Sequence, residues 1–172
     1  MSAPIVLAVS PLTAASFAPF GEVIEVPPAG GKAANEGTAR RHDGIAVLDL
    51  VREGGRAQLS TFRVKPAVLP LTATLLERHP LSTQAFVPIG EQRFLVIVAP
   101  AGGAAPDPRA ARAFVTNGRQ GVNYKRGTWH HPVLALDAET DFVVLGRADD
   151  GRDCDIVPFP GGASLQIDAP PA

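Results

Sequence analysis

Glycine and proline interrupt this chain too often for long helices. There are 17 of each among 172 residues, spread between short runs of Val, Leu, Ile and Phe rather than gathered in one tail. Proline removes a backbone donor and glycine weakens any regular element it enters, so the runs between them are held to strand length. Nine segments have that character: "IVLAV", "GIAVLDLV", "AQLSTFRV", "LTATLLERH", "QAFVPI", "RFLVIVAP", "GVNY", "WHHPVLAL" and "DFVVLGR". Their spacing predicts an all-β sandwich or barrel. Two helical pieces interrupt it. In "SPLTAASFAPFG", Ser10 suits an N-cap, Pro11 the first helical position and Gly21 the stop, which predicts a short N-terminal helix. In "DPRAARAF", Asp107 and Pro108 repeat the start signal for one further short helical turn. "PPAGGKAANEGTARRHDG" reads as a long loop, and long loops in compact domains usually carry function.

A chain of 172 residues is one domain by size, spanning residues 1–172, and buries roughly 70% of its unfolded surface, enough for a core with a cavity in it. A net charge of −1 gives no long-range attraction to nucleic acid or an anionic membrane, so a small-molecule partner is expected. Cys154 is the only cysteine, which excludes a disulfide framework and paired-cysteine metal sites. No Lys or Arg precedes Lys32, so the apolar N-terminus lacks the basic start of a signal peptide, and no apolar run reaches membrane-spanning length. The expected location is the cytoplasm.

Against that background "LTATLLERH" stands out. On one continuous strand, Glu77 and His79 share a face with Leu71, Ala73 and Leu75, while Arg78 joins Thr72 and Thr74 on the other. A lone buried carboxylate is costly unless it is paired, hydrogen-bonded or metal-bound. Glu77 and His79 therefore belong either to a functional site or to a wet strand end at the rim. "GVNYKRGTWHHPVLAL" carries a second cluster. His130 and His131 point to opposite sides of a strand, both sides are apolar, and alternation does not choose between them. A hydrogen-bonded structural histidine behind Trp129 is an equally good reading of His131.

Other chemistries find little support. There is no G-x-S-x-G elbow, no G-x-G-x-x-G and no phosphate-binding G-x-x-x-x-G-K-[ST], and Cys154 has no neighbouring histidine in sequence. The pairs Lys125–Arg126 and Arg40–Arg41 are able to clamp a carboxylate but occur as often on ordinary surface.

The spacing of the two histidine clusters resembles that of cupins, double-stranded β-helix (jelly-roll) barrels with one H-x-H-x3–4-E-x6-G motif and one P-x-G-x-x-H motif. Glu77-x-His79, Gln84 and Gly90 resemble the first, and Gly127-Thr128-Trp129-His130 the end of the second. The resemblance implies a metal set of Glu77, His79, Gln84 and His130, a mixed N/O set suited to Ni, Mn, Fe or Zn. Nearly the whole chain is also similar to the ureidoglycolate lyase family. "SFAPFGEVIE", "NEGTARRHD", "LPLTATLLERHPLSTQAFVPI", "RAFVTNGRQGVNY", "TWHHP", "TDF" and "CD" carry that similarity. It implies a carbon–nitrogen lyase of allantoin degradation that splits (S)-ureidoglycolate into glyoxylate and urea, a cupin barrel, a homodimer and a divalent metal, Ni(2+) by family. Glu77, His79 and His130 are the expected catalytic residues; Asn35, Arg40 and His42, in the loop resembling the family's N-x-G-x-x-R, and Gln84 are substrate-binding candidates, and Lys125 is one on its charge and not on the resemblance. A lyase or hydrolase for another ureido or α-hydroxy acid, and a non-catalytic cupin that binds a small acid, are the alternatives.

Overall fold

The computed structural model describes residues 3–148 and 150–170. The regular structure is overwhelmingly β. One sheet has five strands in the order Gly21–Ile24, Gly121–Tyr124, Gln84–Ile89, Thr140–Arg147 and Ala57–Val64. A second, of seven strands, runs Asp155–Pro158, Leu75–Arg78, Trp129–His130, Phe94–Ala99, Arg112–Val115 and Val9–Pro11, with Leu134–Ala135 also paired to Phe94–Ala99. From Ala57 onward the chain passes back and forth between these sheets. That winding is a double-stranded β-helix, and the two inner faces enclose the barrel. Ile5–Leu7, Leu165–Ile167 and Leu71–Ala73 make a small third sheet.

Phe94–Ala99 explains the layering. All six residues are buried. Phe94, Val96 and Val98 pack with Phe86, Tyr124 and Phe142 inside the barrel, whereas Leu95, Ile97 and Ala99 pack outside it with Trp129, Leu165 and Ile167. A strand covered on both faces reads as an unbroken apolar run rather than an alternating one. Each fully buried Phe, Leu or Ile contributes about 1.5–3 kcal/mol of transfer free energy, and the barrel core adds edge-to-face pairs such as Phe94–Phe142, with ring centroids 5.1 Å apart.

Several local expectations are corrected. The N-terminal helix covers only Ala14–Phe17, and its cap is Thr13, not Ser10. Thr13 Oγ1 accepts from Ser16 N at 3.1 Å while Thr13 N donates to Ser16 Oγ at 3.3 Å, a reciprocal capping box. Ser10 and Pro11 lie instead in the strand Val9–Pro11. "GIAVLDLV" forms no strand: Val47, Leu48 and Val51 are exposed and only Leu50 is buried. Its backbone groups are taken singly instead: Asn123 Nδ2 donates to Val47 O at 3.0 Å, Asp49 N donates to Thr83 Oγ1 at 3.1 Å, and Thr83 N donates to Asp49 O at 3.1 Å. The long loop after Val26 folds in part into a hairpin of Lys32–Ala34 and Ala39–Arg41. The second helical turn is present as the 3-10 turn Pro108–Ala110, capped by Asp107 as predicted.

Candidate active site

The segment "LTATLLERH" is two strands, not one. Leu71–Ala73 belongs to the small sheet and Leu75–Arg78 to the seven-stranded sheet, with a break at Thr74. The break shifts the alternation by one. Ala73 and Leu76 pack together in the outer core, and Glu77 and His79 turn the other way, into the barrel. The expected common face with Leu71 and Ala73 is thereby overturned, although the inward placement stands. Arg78 is not an ordinary solvated residue either. Its guanidinium lies 4.3 Å over the Trp129 ring and pairs with Asp155 at 2.8 Å, with only 20% of its side chain exposed.

Register places the site residues. His130 is the direct cross-strand partner of Glu77, and Val98 that of His130, so the first two share a face beside the barrel core. Trp129, on the opposite face, anchors the outer core and donates from Nε1 to Gly102 O at 3.1 Å. This resolves the choice between the histidines. His130 is buried at 2% exposure, while His131 is half-buried and its Nδ1 donates to Pro132 O at 2.9 Å. Gly127 takes the left-handed φ of +77° needed to turn Lys125–Thr128 back, and its N–H donates to His79 O at 2.8 Å, locking the two histidine segments together.

The ligand-capable atoms of Glu77, His79 and His130 all lie within 4.8 Å of one another. Both histidines are fixed through Nδ1, His79 donating to Asp153 O at 2.5 Å and His130 to Thr128 O at 2.9 Å. The Nε2 atoms are therefore the free acceptors, and among the described residues both are buried with no hydrogen-bond partner. Glu77 Oε1 sits 3.4 Å from His130 Nε2. Two acceptors that face each other need a cation between them, a proton or a metal ion. Burial favours the neutral Glu77 acid, but the contact with His130 and the surrounding imidazoles outweigh it and hold the carboxyl below its ordinary value. Burial pushes His131 below the ordinary imidazole range and so keeps it neutral. Two imidazole nitrogens oriented by main-chain carbonyls, beside a carboxylate, fit a divalent ion.

Across the barrel, Gln84 is the register partner of Tyr124 on the five-stranded sheet. Tyr124 stacks flat on His130, with centroids 4.2 Å apart and planes 10° from parallel, and burial followed by the nearby Glu77 charge raises its phenol well above the ordinary range. Gln84 Oε1 and Tyr124 Oη are also buried and unpartnered among the described residues. Two cavities meet at His79 and Gln84. One, of about 520 Å3, is walled by Glu77, Phe62, Phe86 and Val133; the other, of about 190 Å3, by Ser82, Gly146 and Asp153.

Sequence reasoning missed Tyr124, Asp153 and Thr128. Tyr124 was within a strand already identified, and its partner His130 lies six residues on; Asp153 and Thr128 act largely through backbone oxygens, which leave no residue signature. Asn35, Arg40 and His42 do not line either cavity. Asn35 and Arg40 are exposed on the hairpin region, and Lys125, also exposed and outside both cavities, donates from Nζ to Ala18 O at 2.6 Å.

The model of the family described as ureidoglycolate lyase matches residues 4–166. The chain belongs to the ureidoglycolate lyase family. A ureidoglycolate lyase from Burkholderia mallei (strain NCTC 10229) is 47% identical over 163 residues, covering 95% of each chain. One from Azotobacter vinelandii (strain DJ / ATCC BAA-1303) is 47% identical over 150 residues, or 87% of this chain and 90% of its own. One from Burkholderia cepacia is 44% identical over 98% of this chain and 94% of its own. A solved dTDP sugar isomerase from Desulfovibrio desulfuricans aligns over 83% of this chain and 84% of its own, at 16% identity and a TM-score of 0.40. Among the described residues, Glu77, His79 and His130 are the group whose carboxylate and imidazole atoms lie close enough together to hold a metal ion.

Proposed function

We propose that this chain is a ureidoglycolate lyase that cleaves (S)-ureidoglycolate to glyoxylate and urea at the Glu77–His79–His130 group. The observation that carries the reading is the pair of buried imidazole Nε2 atoms converging on an ionised carboxylate inside the barrel. Near-full-length similarity to proteins named ureidoglycolate lyase supports the substrate.

The reaction needs the hydroxyl proton removed, the aldehyde C=O formed, and the departing nitrogen protonated. Glu77, held ionised, takes the hydroxyl proton; the C–N bonding electrons leave with nitrogen, and the Glu77 acid so formed returns the proton to it. One carboxyl thus balances the elimination, and no covalent enzyme intermediate is required. His79 and His130 would hold a divalent ion through Nε2, nickel being the family expectation, with Glu77 beside it as base rather than as a tight ligand. When bound, that ion supplies the Lewis acidity that makes the substrate hydroxyl easier to ionise. Gln84 is assigned to substrate rather than to the metal. Phe86 and Val133 give the larger cavity apolar walls, with the partly exposed Phe62 at its edge. The protein acts as a cytoplasmic homodimer in this reading, and Asn35, Arg40 and His42, which line neither cavity, are candidates for binding substrate across the dimer contact. No helix of the described residues is long and apolar enough to cross a membrane.

The test is turnover of racemic ureidoglycolate with urea, glyoxylate and ammonia measured separately, before and after exhaustive chelation and on restoring nickel. Urea and glyoxylate in equal amounts, lost on chelation and regained with metal, are expected. Ammonia release would point to amidohydrolysis instead. Full activity of the metal-free protein would remove the ion from the mechanism, and near-normal turnover by both Glu77→Ala and His130→Ala would sink the site.

A further inference from the structure

The smaller cavity has features that the elimination leaves unexplained. It shares His79 and Gln84 with the larger one, so the two lie on either side of the same pair of side chains. At about 190 Å3 it is below the ~300–1,000 Å3 of sites for drug-sized ligands, and suits a group of a few heavy atoms. Its wall is built rather than incidental: Ser82 and Asp153 are 2% and 5% exposed, and the Ser82 hydroxyl donates to Asp153 Oδ2 at 2.6 Å while Leu81 N donates to Oδ1 at 2.5 Å. Each carboxylate oxygen keeps further acceptor capacity. Gln84 Oε1 adds a buried acceptor with no partner among the described residues. Arg147 also borders the cavity: its Nη1 and Nη2 are engaged by the Arg52 carbonyl and by Asp150, while its buried Nε–H has no partner among the described residues.

Gly146 supplies the room. It follows Leu145, the register partner of Ala85, and so stands across from Gln84. A Cβ there would meet only Gln84 Cγ, at 3.9 Å. Any side chain at that position would enter the space in front of the Gln84 amide.

A small space walled by the acceptors of Asp153 and Gln84, with one N–H donor of Arg147 unpaired among the described residues, suits a ligand that brings N–H donors beside a carbonyl, as a carbamoyl group does. We infer that this chamber is the subsite for the carbamoyl end of the substrate, with Gln84 and Asp153 accepting from the terminal NH2 and Gly146 leaving room for it. This deepens the lyase reading and rests on it. The hydroxy-acid half lies in the larger cavity beside Glu77, and the C–N bond to be broken spans the two at His79. The chamber thereby sets specificity for a ureido over an acyl-amide leaving group, because an analogue without the terminal NH2 leaves the buried acceptors unpaired.

Two unreactive probes test this on the full-length protein: N-carbamoylglycine, which has the terminal NH2, and N-acetylglycine, which has a methyl group in its place. Binding is measured by calorimetry and by competition with ureidoglycolate turnover. The wild type should prefer N-carbamoylglycine at least tenfold. Gly146→Val, which fills the chamber, should bring that preference below twofold while moving glyoxylate inhibition less than threefold, and Gln84→Leu, which removes the amide, should also bring the preference below twofold. A wild-type preference near one, or one that survives both substitutions in folded protein, overturns the subsite. Turnover without the preference would overturn the subsite and leave the lyase reading intact, whereas the preference without turnover would support the subsite and refute the lyase reading.

Discussion

Asp153→Asn isolates how His79 is held. The carboxylate accepts from Leu81 N at 2.5 Å and from the Ser82 hydroxyl at 2.6 Å, while the Asp153 backbone oxygen receives the His79 Nδ1 proton at 2.5 Å. Asparagine keeps the shape but turns one oxygen into a donor. With the amide nitrogen facing Ser82, that hydroxyl can rotate to accept, so only the charge assistance and part of the geometry are lost. A hydrogen bond to a charged group contributes ~1.5–3 kcal/mol, and the neutral replacement recovers some of it, which puts the loss at about 2 kcal/mol. For a domain of this size each kcal/mol lowers the melting temperature by roughly 2–4 °C, so a fall of about 4–8 °C is expected. The metal effect is separate. Groups that orient a ligating histidine typically matter ~10–100-fold in affinity, and because the carbonyl itself remains, about tenfold is expected. Thermal melting by circular dichroism and a competitive nickel titration read the two quantities. A variant that melts within about 1 °C of wild type and binds nickel equally well would refute the view that the Asp153 carboxylate fixes the segment carrying its own carbonyl.

Tyr124→Phe keeps the stack on His130 and removes a buried hydroxyl with no partner, so melting should be unchanged or slightly higher; a loss beyond ~1 kcal/mol in urea unfolding would show that the hydroxyl is bonded in the folded protein. Trp129→Ala should cost about 3–5 kcal/mol by urea denaturation, since the ring is fully buried between the outer core and Arg78, and Arg78→Ala should cost less. Asp137 is held below its ordinary value by the hydrogen bond from Arg93, opposed by slight burial. A lowered folded value means the pair stabilises above the unfolded carboxyl pKa, and that contribution is lost as pH falls through the folded one. Asp137→Asn should flatten the acid limb of the stability curve between about pH 4 and the lower folded value; with both side chains about one-third exposed, the change stays under ~1 kcal/mol.

The strand spacing and turn residues were enough to anticipate an all-β fold, and the resemblance pointed to its double-stranded β-helix form, because glycine, proline and β-branched runs act locally. What they missed lies in how local pieces meet. "GIAVLDLV" has strand composition, but Asn123 and Thr83 take its backbone groups and no neighbouring strand is left to pair with it. The break at Thr74 leaves no mark in a sequence whose apolar residues continue across it, so the face of Glu77 was right and its companions wrong. His130 could not be separated from His131 by alternation; the Glu77 register and the Trp129 anchor separate them. The Ser10 cap failed because Ser10 and Pro11 are held in a parallel pairing with Phe114 and Val115, a contact made across some hundred residues.

The two imidazoles are oriented by carbonyls of the main chain, and every residue has a carbonyl. No replacement of the side chain at position 128 or 153 can delete those acceptors; it can only displace them. The donor power of the paired Nε2 atoms is therefore insulated from much of the variation open to the surrounding wall. A position such as Gly146, where a Cβ would meet only Gln84, can change what the cavity admits while the tautomers of the two imidazoles stay fixed. Substrate choice and reaction chemistry are, in this barrel, separately mutable.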